Sequence, residues 1–338
     1  MSEPAILQIA EVERLAQTAL MKAGASPAAA KSLATAIAAA ERDGIASHGL
    51  AYLATYCQHL ECGKVIPTAV PQVERPAPGV VTVDAQSGFA HPAIDAGFAE
   101  LIPAARAQGI ATLTVRNSYN CGVLGYHTET LTNAGLVGLG FTNAPASIAA
   151  SGGKRPVLGT NPWSVAVPDG NGAAAIVIDQ SASVVAKSEV MKKSRRGEQI
   201  PLGWTLGPDG EPTTDPAVGL KGTMVPAGGY KGVGSALLVE IMAACLSGAT
   251  LGINASPFSG TAGGPPKTGQ LFIAISPDAT SAGGFASNLS NLVAALTSEP
   301  GTHLAGSGRR AARARASSDG VKVDRAIYDT VLSLQGSS

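Results

Sequence analysis

The sequence predicts a mixed α/β or α+β fold, on three observations. Segments with helical and with strand periodicity alternate along most of the chain. At 338 residues it is long enough for one large domain or two ordinary ones. Hydrophobic residues make up 45 % and charged residues only 14 %, with a mean hydropathy of +0.19. That balance excludes disorder over most of the chain and favours a largely buried, oligomeric protein.

The elements follow in order. Val12 to Lys22 carries apolar residues at helical spacing, and Gly24 supplies the stop. Ser26-Pro27 is an N-cap followed by proline at the first helical position; it opens an alanine-rich helix that Gly44 closes. A third helix is expected over Leu50 to Cys62, with Ser47-His48-Gly49 at its mouth. After Pro67, Pro71, Pro76 and Pro78, the run Val80-Val81-Thr82-Val83 reads as β. Pro92 to Gln108 reads as a helix, Ile110 to Val115 as a buried strand, Tyr126 to Ala134 as a helix and Leu136 to Phe141 as a strand. Further strands are expected at Trp163 to Val167, Ala174 to Ile178 and Gln270 to Ile275, and a long helix over Ser235 to Gly248. Residues 192–215 are polar and rich in turn formers, which predicts a loop excursion. The C-terminal stretch returns to helix-like, basic sequence.

Composition narrows the function classes. Lys plus Arg is 24 and Asp plus Glu is 24, so the formal net charge is 0. Nothing global draws such a chain to nucleic acid or to an anionic membrane. The cluster Arg309, Arg310, Arg313 and Arg315 lacks interleaved aromatics and reads as a solvated helix face. Ser235 to Ile253, the most apolar stretch, contains Glu240 and is too mixed for a membrane span. The acidic N-terminus lacks signal-peptide features, and 4 cysteines make no disulfide framework in a chain this long. A soluble cytoplasmic protein is expected. Cys57 and Cys62 bracket His59 but fall on different faces of one helix, so no metal site is expected.

The ordinary dinucleotide fingerprint is missing: no G-x-G-x-x-G follows a strand, and no phosphate-loop motif is present. Four polar elements stand out instead. In Ser47-His48-Gly49 a histidine sits just past a helix end, where its ring can serve as general acid or base. Gly159-Thr160-Asn161-Pro162, preceded by Thr142-Asn143-Ala144-Pro145, reads either as a tight turn or as a polar cleft wall. A strand ending in Asp179-Gln180-Ser181-Ala182-Ser183 can offer ribose hydrogen bonds and backbone amides. Gly228-Gly229-Tyr230-Lys231-Gly232 runs into the long helix, and glycine-rich backbone before a helix N-terminus is a natural anion site.

In this order the four elements resemble the non-Rossmann (type-2) malate/L-lactate dehydrogenase family. That family includes sulfolactate, ureidoglycolate and diketogulonate dehydrogenases and the reductases of pyrroline- and piperideine-2-carboxylate. The resemblance covers nearly the whole chain. It implies a mostly antiparallel NAD(P)-binding sheet with flanking helices, over residues 76–299. A helical substrate and dimerisation domain, 1–75 with 300–338, goes with it. It also implies a homodimer, NADPH or NADH as cofactor, and a small-molecule carboxylate substrate. Residue by residue, His48 matches the proton donor, with Asp179 as its catalytic partner. Asp179, Ser181 and Ser183 match a dinucleotide-contacting segment, Tyr230-Lys231 a second contact pair, and Gly306-Ser307-Gly308 a third short cofactor segment. Ser47, Tyr52, Asn120 and Thr160 fall where substrate binds.

Two departures stand out. The family usually carries an arginine four residues after the histidine, where this chain has Tyr52, and often His-Phe or His-His after an Arg-Asn pair, where this chain reads Asn117-Ser118-Tyr119-Asn120-Cys121-Gly122. The implied reaction is hydride transfer between a nicotinamide and a 2-oxo or 2-hydroxy acid, or a cyclic 2-imino acid. Gly88 to Ala93 resembles the imino-acid reductases, and Asn117 to His127 the sulfolactate branch. A nucleotide-binding protein without catalysis is the other reading, which the intact His48 and Asp179 disfavour.

Overall fold

The computed structural model describes residues 3–336. The chain opens with β1 (Ala5–Leu7), α1 (Ile9–Lys22) and α2 (Pro27–Arg42). Two 3₁₀ turns, Ala46–His48 and Leu50–Tyr52, lead into α3 (Leu53–Glu61). Then come β2 (Gln72–Ala77), β3 (Val80–Asp84), α4 (Ala90–Gln108), β4 (Ile110–Ser118), α5 (Leu124–Asn133) and β5 (Val137–Thr142). A small hairpin, β6 (Ile148–Ala149) and β7 (Pro156–Leu158), precedes β8 (Trp163–Pro168), β9 (Ala174–Gln180) and α6 (Lys187–Arg195). An excursion follows, with β10 (Thr205–Leu206), β11 (Pro212–Thr213), α7 (Pro216–Gly219) and β12 (Thr223–Met224). It returns to α8 (Tyr230–Glu240), whose end widens into a π-helix over Ile241–Cys245. The chain closes with β13 (Thr268–Ile275), α9 (Pro277–Thr280), α10 (Phe285–Leu296), α11 (Ser307–Asp319), β14 (Val321–Val323) and α12 (Arg325–Leu334).

The main sheet has seven strands in the order β2-β3-β4-β13-β5-β8-β9. Every neighbouring pair is antiparallel except β3 with β4. Those two are joined by α4, the crossover that a parallel pair requires. This is an α+β sheet and not a doubly wound one. Leu113 and Val115 of β4 pack with Phe98 and Leu101 of α4 and with Phe272 of β13.

A second core lies outside the sheet. β1 pairs with β14, placing Ala5 opposite Val323 and tying the two ends of the chain together. Leu15 and Leu20 of α1, Leu33 and Ile37 of α2, Leu53 of α3 and Val331 of α12 are buried in one cluster. α2 is capped as its sequence demands: the Ser26 hydroxyl accepts from the Ala29 amide, and proline holds the first turn. Its alanines let other elements approach closely on several sides, so that ten of its residues are buried.

Three elements depart from the sequence expectation. The helix expected from Leu50 is regular only from Leu53, because Gly49 has a non-helical backbone (φ −89°, ψ −143°). The long helix starts at Tyr230 rather than Ser235 and becomes a π-helix before Gly248. Residues 192–215 hold the end of α6 and two short strands as well as loop. Among the described residues no helix is long and apolar enough to cross a membrane.

Candidate active site

His48 owes its position to a buried acid at the end of α2. The Glu41 carboxylate accepts a hydrogen bond from the Leu50 amide at 2.8 Å. It also lies against the Cα of Gly49: a Cβ there would stand 2.2 Å from Glu41 Oε1. Glycine therefore follows His48 because any larger residue would collide with that carboxylate. Burial raises the Glu41 carboxyl above its ordinary range, and the Leu50 amide partly offsets the rise. The turn fixed in this way presents His48 half-buried, with Ser47 Oγ 3.1 Å from its Nδ1. Burial lowers the proton affinity of the imidazole, and the charge of Asp179 works in the opposite direction.

Asp179 reaches this place from the end of β9. Its Oδ2 accepts from the Gly125 amide at 2.9 Å, near the start of α5, and pairs with Arg309 Nη2 at 2.5 Å. A Cβ on Gly125 would lie 2.5 Å from Arg309 Nη1, so the missing side chain is what admits the guanidinium. Arg309 Nη1 is buried without a hydrogen-bond partner among the described residues. The basic cluster of α11 therefore divides: Arg310 and Arg315 are exposed, as a solvated face requires, but Arg309 and Arg313 turn inward. Arg309 faces Asp179, and one turn later Arg313 bridges Asp43 at 2.6 Å and Glu129 at 2.5 Å. Burial of Asp43 opposes its charge, but hydrogen bonds from Arg313 and Arg42 outweigh it and hold the carboxyl below the usual range. The spacing of Arg309 and Arg313 by four residues puts both on one side of the helix. That spacing was the sequence signal for the inward face.

The elements expected to hold a cofactor converge beside this pair. The Ala182 amide donates to Thr160 O at 2.8 Å, and the Ala227 amide to Ala182 O at 2.8 Å. Thr160, the Ser181–Ser183 segment and the loop before α8 thus lie side by side. Ser181 Oγ is 3.1 Å from Ser183 Oγ, and Ser183 Oγ donates to Val185 O at 2.7 Å. Gly228 and Gly229 both adopt left-handed backbone before α8 (φ +68° and +64°). Tyr230 is 74 % exposed, and Lys231 is exposed without an ion-pair partner among the described residues. Gly306 (φ +88°) packs on Val177 of β9 and caps α11, while Gly308 has open space where its side chain would be. An unpaired lysine at a helix N-terminus, with hydroxyls and uncluttered glycine backbone nearby, suits the phosphates and riboses of a dinucleotide.

The remaining expected residues divide. Tyr52 donates its hydroxyl to Phe258 O at 3.0 Å and stacks edge-on against Tyr56, so its polar end is committed to a loop. Asn120 turns its amide oxygen back onto the Gly122 amide at 2.7 Å. Asn161 is wholly buried with φ +38°; its amide donates to Glu240 Oε2 at 2.7 Å and its oxygen accepts from the Ala144 amide at 3.0 Å. Glu240 also accepts from the Gly252 amide at 2.6 Å. Asn161 and Glu240 accordingly stitch the turn to α8. Sequence reasoning missed Glu41, whose partners lie across a turn, and Gly125 and the inward role of Arg309, whose partners are distant in the chain.

The family model for malate/L-lactate dehydrogenase matches residues 7–332. The chain is 40 % identical over 324 residues to a (2R)-3-sulfolactate dehydrogenase (NADP(+)) of Chromohalobacter salexigens, covering 96 % of each. It is 38 % identical over 331 residues to a Delta(1)-pyrroline-2-carboxylate reductase of Ancylobacter novellus, covering 97 % of each. The solved delta1-piperideine-2-carboxylate reductase from Pseudomonas syringae superposes with a TM-score of 0.92 at 33 % identity, over 98 % of this chain and 99 % of that one. A motif set spread along the sequence, a sheet of matching architecture and relatives aligned nearly end to end lead to one conclusion: the chain belongs to the malate/L-lactate dehydrogenase family.

Proposed function

We propose that the protein interconverts a 2-hydroxy acid and its 2-oxo acid, of malate, lactate or sulfolactate type, using NADPH or NADH. The observation that carries this reading is that His48 and Asp179 both lie against the start of α5, His48 beside Val123 and Tyr126 and Asp179 on the Gly125 amide, with the Ser181–Ser183 segment that follows bonded to the glycine-rich loop before α8. The nicotinamide, when bound, supplies or accepts the hydride. His48 gives its proton to the developing alkoxide, and in the reverse direction takes it back. Ser47 engages Nδ1 of the ring, leaving Nε2 for the reacting oxygen. Asp179 favours the charged imidazole, which burial alone would disfavour. Because the Tyr52 hydroxyl is committed to Phe258, the substrate carboxylate needs another partner, and the buried Nη1 of Arg309 is available for it. Lys231, Tyr230, Ser181, Ser183 and the 306–308 segment take the dinucleotide.

A second reading, reduction of a cyclic 2-imino acid, is favoured by the pyrroline- and piperideine-2-carboxylate reductases among its relatives. The protein would act as a homodimer in the cytoplasm. Leu237, Leu238, Ile241 and Leu246 on and beyond α8 are exposed, and no residue of α10 is buried, so these apolar faces suit a second copy. All 4 cysteines are unpaired.

The test crosses NADH and NADPH with pyruvate, oxaloacetate, sulfopyruvate and both cyclic imines, following loss of nicotinamide absorbance. Turnover with one 2-oxo acid, reduced about 10²–10⁴-fold by His48→Ala with the coenzyme KM unchanged, is the expected result. Turnover of imines alone establishes the second reading, and inactivity with every member of the panel refutes both.

A further inference from the structure

His91 stands in the molecule without an explained partner. It belongs to the first turn of α4 and is 2 % exposed, yet its Nδ1 makes no hydrogen bond among the described residues. Its ring lies 5.3 Å from that of His127, whose Nε2 donates to Cys121 O at 2.9 Å. A buried imidazole with an unpaired nitrogen is costly, and such groups persist where water or function uses them. Burial pushes its proton affinity well below the ordinary histidine value, so the ring is neutral at physiological pH.

The other ring nitrogen, Nε2, borders a small space. A cavity of about 10 Å³ is bounded by His48, His91, Tyr56, Gly122 and Tyr126, with Ile37 of α2 among its apolar walls. Gly122 makes the cavity possible. A Cβ there would sit 3.2 Å from His91 Nε2 and 3.8 Å from Tyr56 Oη, filling the gap between them. Room of this size accommodates one water, which needs two to four polar partners. His91 Nε2 and Tyr56 Oη are the two polar groups at hand, and the His48 ring forms a facing wall.

We propose that His91 is a positioning residue of the reaction centre: with Tyr56 it holds a single water against the ring of His48. Because His91 is neutral, it can meet that water as donor or acceptor without placing a second charge beside His48. Held by those two groups, the water fills the space between the His48 ring and α2 and keeps the ring from rotating away from substrate. Neither a second proton donor nor any metal is involved.

This inference rests on the reading of His48 as proton donor, so the experiment begins with wild type and His48→Ala. If wild type reduces no member of the substrate panel, or His48→Ala is fully active, it is that reading which fails. Given an active wild type, His91→Phe keeps the ring volume and removes both nitrogens, while His91→Gln restores a polar atom. Loss of one neutral hydrogen bond predicts that His91→Phe lowers kcat about 3- to 10-fold. The KM for NAD(P)H is expected to stay unchanged, and His91→Gln to recover most of the loss. Tyr56→Phe removes one hydroxyl with little change in volume and is expected to reproduce the kcat effect, so the test stands even if His91→Phe does not fold. Wild-type kcat in Tyr56→Phe and in a folded His91 variant overturns the proposal. So does a drop that His91→Gln fails to relieve while thermal stability falls in parallel, since a packing role alone produces that pattern.

Discussion

Replacing Gly49 by alanine tests the idea that a buried carboxylate aims His48, the proposed proton donor. The new Cβ would lie 2.2 Å from Oε1, 2.5 Å from Cδ and 2.8 Å from Cγ of Glu41. Glu41 is 7 % exposed and tied to the Leu50 amide, so it has little room to swing aside. Two costs add: the lost hydrogen bond to a carboxylate, about 1.5–3 kcal/mol, and the strain of overpacking, about 1–3 kcal/mol. The expected destabilisation is about 3–5 kcal/mol, a fall in Tm on the order of 10 °C. The Ser47-His48 turn must shift to accommodate the methyl, and a misplacement of ~1 Å costs about 10²-fold in kcat. Differential scanning calorimetry and NAD(P)H-coupled kinetics read the two effects. A second substitution, Glu41→Ala, removes the obstacle and should restore part of both losses, giving a favourable coupling of about 1–2 kcal/mol. Wild-type Tm and kcat in Gly49→Ala would show that the turn is held by something else.

The node at Arg313 should behave as structure without chemistry. Arg313→Met leaves Asp43, 3 % exposed in its side chain, without its main partner. A stability loss of about 2–4 kcal/mol is expected, somewhat under the full value for a buried pair because Arg313 itself is partly exposed. Since the folded-state pKa of Asp43 is depressed, its contribution is present above the ordinary aspartate range and is lost as pH falls through the folded value. Urea unfolding of wild type and variant should therefore converge under strongly acidic conditions; a constant gap would contradict the ion-pair assignment. Lys231→Ala should raise the KM for NAD(P)H, by more at low salt than at high salt, because a charge pair to phosphate is screened. A raised substrate KM with coenzyme KM unchanged would move Lys231 to the other ligand.

The sequence by itself determined the elements whose signals are local. α2 could be placed from Ser26-Pro27 and an alanine run, because an N-cap and a proline act within one turn. β4 and β13 were visible as apolar runs: β13 is buried on both faces along most of its length, and β4 on every second residue with β-branched residues between. Ser47-His48-Gly49 and the glycine-lysine element were legible as motifs, and together they pointed to the family. Other features were decided only by tertiary structure. Glycine at 49 and at 125 signals a turn or a helix start in sequence, but its reason is the Glu41 carboxylate in one case and the Arg309 guanidinium in the other. Arg309 and Arg313 of α11 are as charged as any surface residue, and only the arrival of Asp179, Asp43 and Glu129 from other elements turns them inward. Tyr52 had the spacing of a cleft residue, yet two 3₁₀ turns changed its register and the backbone of Phe258 took its hydroxyl. A hydrogen bond or an ion pair across 130 or more residues leaves no periodicity in the chain, so its partners become known only when the fold brings them together.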